Sequence, residues 1–181
     1  MGAEAPVRQA KGRCAKKKET LVDQLMGLAA EVGKQLKARG EKVAVAESSS
    51  GGLISAALLS VPGASAWYLG GAVVYTPKAR VMLTDIPREA LEGMRSASEP
   101  YALLLARTQR ERFGATWGIS ETGAAGPTGN GYGDAAGHSC IAISGPVEAV
   151  ITIETGETDR VANMRAFAAA ALDLLKRATA E

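Results

Sequence analysis

Five apolar runs of four to six residues alternate with stretches of helical periodicity, and this alternation restricts the fold more than any other feature. The runs are Val43–Ala46, Gly71–Tyr75, Thr116–Ser120, Ser139–Ser144 and Ala149–Glu154, each followed within three residues by Ser, Gly or Pro. A run this short is a sheet strand rather than a helix, and β-branched residues recur in all five. Between them the period changes. Leu21, Leu25, Leu28, Ala29, Val32 and Leu36 recur at spacings of three and four, with Thr20 as N-cap and Gly40 as stop. Leu53–Leu59 has helical composition, Pro77 opens a short helix through Leu83, Ser98-Glu99-Pro100 opens a longer one to Phe113, and a last helix runs from Asp159 to about Arg177. Strands alternating with helices predict an α/β fold, a three-layer α/β/α sandwich. Gly145-Pro146 joins the last two strands as a hairpin, so the sheet is mixed but mostly parallel.

The chain divides unevenly by charge. Residues 1–20 hold six Lys or Arg and two Glu, a net +4, while the remaining 161 residues are net −2. Residues 1–19 read as a disordered basic tail and 20–181 as one domain. A nucleic-acid role would rest on the tail alone. It would show a steep salt dependence that vanishes on deleting residues 1–19. Aromatics are only 4% of the chain, so the core is built from Ala, Val, Leu and Ile. The two cysteines, Cys14 and Cys140, and the single histidine, His138, supply no metal-ligand set, and neither metal nor cofactor is expected. His138 reads as a polar residue beside a buried strand. No stretch approaches the length of a membrane span, and the N-terminus lacks a secretory apolar region. The expectation is a soluble cytoplasmic protein, with organelle targeting by the basic tail left open.

In sheets of this kind, sites gather at loops beyond the carboxyl ends of the strands. Three segments qualify. Glu47-Ser48-Ser49-Ser50-Gly51-Gly52 joins a strand to a helix, where free N–H groups favour an anion or an activated alkoxide; the same residues are also ordinary cap and turn material. Tyr75-Thr76-Pro77-Lys78-Ala79-Arg80 brings a phenol and two cations. Lys becomes a base when burial lowers its pKa; Arg stays protonated and suits an anion. Residues 122–137 hold six glycines and form a loop whose N–H groups can approach a ligand, although they match neither common nucleotide-binding glycine pattern. Arg160, at the start of the last helix, could reach a phosphate.

Together these segments resemble one family, the C-terminal domain of the CinA proteins, whose members include nicotinamide-nucleotide amidases. The family signature Ala-Glu-Ser-Cys-Thr-Gly-Gly stands here as Ala46-Glu47-Ser48-Ser49-Ser50-Gly51-Gly52. Its Pro-Gly-Ala-Ser is Pro62 to Ser65, its Tyr-Ser-Asn-x-x-Lys is Tyr75 to Arg80, its Val-Ser-Glu is Ala97-Ser98-Glu99, and its Thr-Gly-x-Ala-Gly-Pro is Thr122 to Pro127. The resemblance runs in order from about residue 21 to 178. It implies hydrolysis of the carboxamide of nicotinamide mononucleotide to nicotinate mononucleotide and ammonia, a step of pyridine nucleotide metabolism and NAD salvage. The nucleophile would be Ser48, with oxyanion charge stabilised at the helix N-terminus. Tyr75 and Thr122 match active-site positions. Glu47, Ser49, Ser50, Gly51, Gly52, Gly123, Gly126 and Arg160 become candidates for substrate binding. A homo-oligomer is expected. The family's pyrophosphatase activity belongs to a separate N-terminal domain, for which an α/β pattern starting by residue 20 leaves no room.

The departures fall on the chemistry. The family lysine regarded as the base is Arg80 here. Lys78, two residues earlier, points about 200° away from Arg80 on a helix. Tyr75 could relay a proton. The signature Cys and Thr are Ser49 and Ser50, and the Pro-Val-Gly after the glycine-rich loop is Ala135-Ala136-Gly137. Two functions compete: an amidase with a rearranged base, or a weakened or inactive relative that binds a nucleotide or a protein partner.

Overall fold

A computed structural model describes residues 21–180. The basic tail, Cys14 and the Thr20 cap lie outside the described residues. In chain order the elements are α1 (Leu21–Arg39), β1 (Val43–Glu47), α2 (Leu53–Leu59), β2 (Tyr68–Val73), α3 (Pro77–Thr84), α4 (Glu99–Phe113), β3 (Trp117–Ala124), β4 (His138–Ser144), β5 (Glu148–Glu154) and α5 (Arg160–Ala180), with two short 3₁₀ turns at Ala64–Ala66 and Arg88–Leu91. The sheet order is β2-β1-β3-β4-β5. β1 is parallel to β2 and β3, whereas β4 is antiparallel to both its neighbours. Four of the five strands therefore run one way, the mixed, mostly parallel sheet that the alternation of periods predicts. Among the described residues no helix is long and apolar enough to cross a membrane.

The two-residue period of a strand sends successive side chains to opposite layers, and that period organises the whole molecule. Val43 and Val45 of β1, Trp117 and Ile119 of β3, and Ile141 and Ile143 of β4 share one buried cluster with α1, α2 and α5. The intervening residues are small. Ala102 and Ala106 of α4 pack on Cys140 and Ala142 of β4, and Tyr101 and Leu105 pack on Ala46. Small residues let α4 lie close to the sheet. A Cβ on Gly118 of β3 would meet the Ala106 carbonyl oxygen at 1.9 Å, so this position admits only glycine.

Two strand ends beside the cleft differ from the sequence expectation, and β2 also starts earlier than expected, at Tyr68. β2 ends at Val73, which leaves Val74 and Tyr75 in the connection to α3. β3 runs on through Ala124, so Thr122 and Gly123 are strand residues paired with Cys140 and Ser139, and the glycine-rich loop begins only after them.

Candidate active site

The same two-residue period sorts the polar residues at the strand ends. Glu47 and Glu121 continue the face of Val45 and Ile119, toward α2. Ser48 and Thr122 continue the face of Ala46 and Ser120, toward α4. The first pair becomes internal bracing and the second pair becomes cleft wall.

Both carboxylates are fully buried. Glu47 accepts from the N–H groups of Gly52 (2.9 Å), Ile54 (3.0 Å) and Ser55 (2.8 Å), the first donors of α2. The N-terminus of that helix is thus occupied by an internal carboxylate. This corrects the expectation that it holds the reaction's oxyanion, and it removes Glu47 from the candidates for substrate contact. Glu121 braces the turn itself. It accepts from the N–H groups of Ser48 (3.1 Å) and Ser50 (2.8 Å) and from the hydroxyls of Ser49 and Ser139, the last at 3.0 Å. Ser50 Oγ lies within hydrogen-bond distance of both carboxylates. Of the triple serine, Ser49 and Ser50 are spent on structure. Among the described residues no hydrogen bond engages the Ser48 hydroxyl, which faces a cavity of ≈ 210 Å³.

That cavity is walled by Ser48, by Val74 to Pro77 and Arg80, by Ser96, Ala97 and Tyr101 at the start of α4, by Thr122 and Gly123, and by Asn130 and Tyr132 of the glycine-rich loop. Arg80 supplies its cation. The guanidinium lies 5.9 Å from the centroid of the Tyr101 ring, and its buried Nε has no hydrogen-bond partner among the described residues. Burial pushes the Tyr101 phenol above its usual pKa, against the lowering effect of Arg80. Thr122 Oγ1 accepts the Ala97 N–H at 3.2 Å, which leaves the hydroxyl proton free to donate.

A second, more polar cavity of ≈ 280 Å³ adjoins the first across Tyr75, Gly123 and Asn130, and reaches Ser49, Gly126 and Arg160. Arg160 spans its edge, donating to the Gly126 carbonyl at 2.6 Å and to Tyr75 Oη at 3.0 Å. Asn163, a turn along α5, ties the helix to the same loop through the Ala125 carbonyl at 2.9 Å.

The fold therefore brings Ser48, Tyr75, Arg80 and Thr122 to one cavity, and Ser49, Gly123, Gly126 and Arg160 to its neighbour. Ser50, Gly51 and Gly52 line neither. Lys78 also lines neither; it is exposed in the first turn of α3, while Arg80 of the same helix turns inward. Glu121, Ala97 and Tyr101 are positions that the sequence reading passed over. Glu121 carries a usable signal, a lone carboxylate inside an apolar strand with no cation beside it, which must be satisfied by hydrogen bonds. Ala97 stands in the matched segment Ala97-Ser98-Glu99 without an assigned role, and Tyr101 carries no signal, because nothing local says that α4 starts at the cleft. Among the described residues no group of three or more His, Cys, Asp or Glu is placed to hold a metal ion.

Comparison with known proteins decides the family. The sequence profile of the CinA C-terminal domain matches residues 25–179. This chain belongs to the CinA C-terminal domain family. A CinA-like protein of Anaeromyxobacter sp. strain K is 40% identical over 146 residues, 80% of this chain and 35% of that protein. One from Chlorobium limicola is 40% identical over 136 residues, 75% of this chain and 32% of its own. The chain thus spans about a third of the length of the curated relatives it matches. Solved CinA structures agree in fold. A competence/damage-inducible protein from Agrobacterium tumefaciens superposes with a TM-score of 0.80 at 28% identity, covering 87% of this chain and 96% of that one. A CinA superfamily protein from Klebsiella pneumoniae gives 0.80 at 25% identity, covering 86% and 98%.

Proposed function

We propose that this CinA domain is a nicotinamide-nucleotide amidohydrolase, converting nicotinamide mononucleotide and water to nicotinate mononucleotide and ammonia. The observation that carries the reading is Ser48, in the family's signature position, whose hydroxyl has no hydrogen-bond partner among the described residues and which lines a cleft shared with Tyr75, Arg80 and Thr122. Ser48 Oγ attacks the carboxamide carbon. Its proton passes through the Tyr75 phenol to the departing nitrogen, which leaves as ammonia. Water then attacks the acyl ester and returns a proton to Ser48 Oγ, releasing the carboxylate. Thr122 donates its free hydroxyl proton toward the tetrahedral oxyanion, and removing one such donor costs about 3 kcal/mol of transition-state stabilisation. Arg160, beside the polar cavity of backbone and glycine, is the candidate for the phosphate.

One observation favours a second reading. No base is hydrogen-bonded to the Ser48 hydroxyl among the described residues; the Glu121 carboxylate meets only its backbone N–H, and the cation in its cleft is an arginine, which does not deprotonate. A domain that binds anionic nucleotides without turning them over would look the same. Ammonia release from nicotinamide mononucleotide, measured beside calorimetric binding for the wild type and Ser48→Ala, separates the two. The amidase reading expects release that Ser48→Ala abolishes while binding persists. Binding without release in the wild type would establish the second reading.

A further inference from the structure

The only histidine of the chain stands directly behind the cleft wall. His138 begins β4 and is 6% exposed. Both its ring nitrogens meet acceptors: Nδ1 lies 2.5 Å from Glu154 Oε1 of β5, and Nε2 lies 3.0 Å from the Ala97 carbonyl oxygen. A carboxylate and a carbonyl can only accept. A neutral imidazole has one N–H and one lone pair, so it satisfies one of these contacts and turns a lone pair on the other. Only the imidazolium donates to both.

What the ring holds is part of the cleft. Ala97 has φ 54°, in the left-handed region that a residue with a Cβ seldom adopts. It is pinned from both sides, its carbonyl by His138 and its N–H by Thr122 Oγ1. Ala97 and its neighbour Ser96 line the same cavity as Ser48. We propose that His138 is a positioning residue: in its protonated form it clamps the Ala97 carbonyl, and through Ala97 it fixes the Ser96–Ala97 rim and the Thr122 hydroxyl. The role for the nucleotide site rests on reading this cleft as the substrate cleft.

The surroundings hold the proton in place. Asp134 Oδ2 of the glycine-rich loop lies 3.8 Å from Nε2 and is itself paired with Arg95. Cys140 Sγ on β4 is 3.6 Å from Nε2, and Glu99 of α4 accepts from Thr152 of β5 just beyond. Two carboxylates therefore face the ring, Glu154 from β5 and Asp134 from the loop, while Glu99 of α4 is engaged by Thr152 and the Arg95 guanidinium is paired with Asp134. Burial opposes a charged imidazole, but the Glu154 and Ala97 hydrogen bonds and the nearby carboxylates outweigh it and raise its pKa above the ordinary value.

Because the chain has one histidine, its ring Cε1–H resonance is assigned without mutagenesis. The test is a proton and amide NMR titration of the full chain from pH 5 to 9, with and without nicotinamide mononucleotide. The expected result is a His138 midpoint above about 6.5, the ordinary value. The Ala97 and Thr122 amide shifts should move with that same midpoint in the free protein. Ala97 and Thr122 amides that stay still while His138 titrates would overturn the proposal. His138→Gln, whose carboxamide N–H can donate to Ala97 at any pH, should keep the rim and erase its pH dependence. His138→Ala should weaken nucleotide binding at low pH by up to about tenfold, the worth of one buried hydrogen bond. If neither variant alters the pH profile of binding, the clamp is refuted. If the nucleotide fails to bind at any pH while the amides follow His138, the clamp stands and the nucleotide reading falls instead.

Discussion

Arg80 is where this chain departs, at the scale of a single residue, from the lysine that its resemblance to the family implies. A lysine can lose its proton when burial makes the charge costly; a guanidinium cannot. Arg80 nevertheless faces the cleft, over Tyr101 and without a carboxylate partner among the described residues. Under the amidase reading the proton must then travel by a poorer route, and turnover is slow. Arg80→Lys should raise ammonia release, and general-base catalysis by a positioned side chain sets the scale at about 100-fold or more. Lys78→Ala should change little, because that side chain is exposed on α3 outside both cavities. A steady-state assay of the two variants is decisive: loss of activity in Lys78→Ala with no gain in Arg80→Lys would move the base to Lys78. The reading of Ser48, Tyr75, Arg80 and Thr122 as neighbours was available from sequence because segments 48–52, 75–80 and 122–137 all read as connections beyond the carboxyl ends of strands. Glu121 was not read, because a buried carboxylate is explained by its donors, and four of those come from residues 48–50, some seventy positions away.

Strand ends and helix starts set the cleft's shape at the scale of elements, and here composition misleads. Thr122-Gly123 looks like the opening of a flexible loop, yet the β3–β4 ladder continues to Ala124 and His138. Gly123 is there because a Cβ would meet the His138 carbonyl oxygen at 2.3 Å, not because the chain must bend. Helices were more legible, since α1, α3, α4 and α5 each announce their starts or stops by Pro, Gly or a periodic apolar face. The turn joining β1 to α2 is the element most dependent on polar bracing. Glu121→Gln keeps the volume but replaces an acceptor oxygen by an NH₂ group, facing N–H groups that cannot turn away. The expected cost is about 1–3 kcal/mol of unfolding free energy, for a buried donor left without a partner. Urea denaturation measures it, and an unchanged midpoint with unchanged slope would mean that Glu121 does not carry the turn. At the α4 interface, Gly118→Ala should destabilise by about 1–3 kcal/mol or more, because the new Cβ would sit 1.9 Å from the Ala106 carbonyl oxygen and that backbone cannot clear it without lifting the helix.

For the whole molecule, these local pairings combine into a stability that depends on pH in a defined direction. On the acid side, the Arg107 hydrogen bonds hold the Glu148 carboxyl down to about 2, and Arg95 lowers Asp134. Groups depressed in the folded state stabilise it at neutral pH and lose that contribution as pH falls below the ordinary carboxylate range toward their folded values. The Arg107–Glu148 pair is largely exposed, so its share is small. His138 works the other way. Its folded pKa is raised, so its contribution is complete below about pH 6.5 and is lost as pH climbs through the folded value. Buried Cys140 and Tyr101 and half-buried Tyr68 are also raised, and they extend the decline above pH 9. The melting temperature should therefore peak in the mildly acidic range and fall through neutrality, although the net charge changes little there. Melts of the wild type and His138→Gln between pH 5 and 9 separate the causes. A neutral-range slope that disappears in His138→Gln assigns it to the clamp behind Ala97. A slope that survives would place it in other groups and leave His138 a passive filler of the β4 start, and the cleft rim would then owe its left-handed Ala97 to packing and to the Thr122 hydrogen bond.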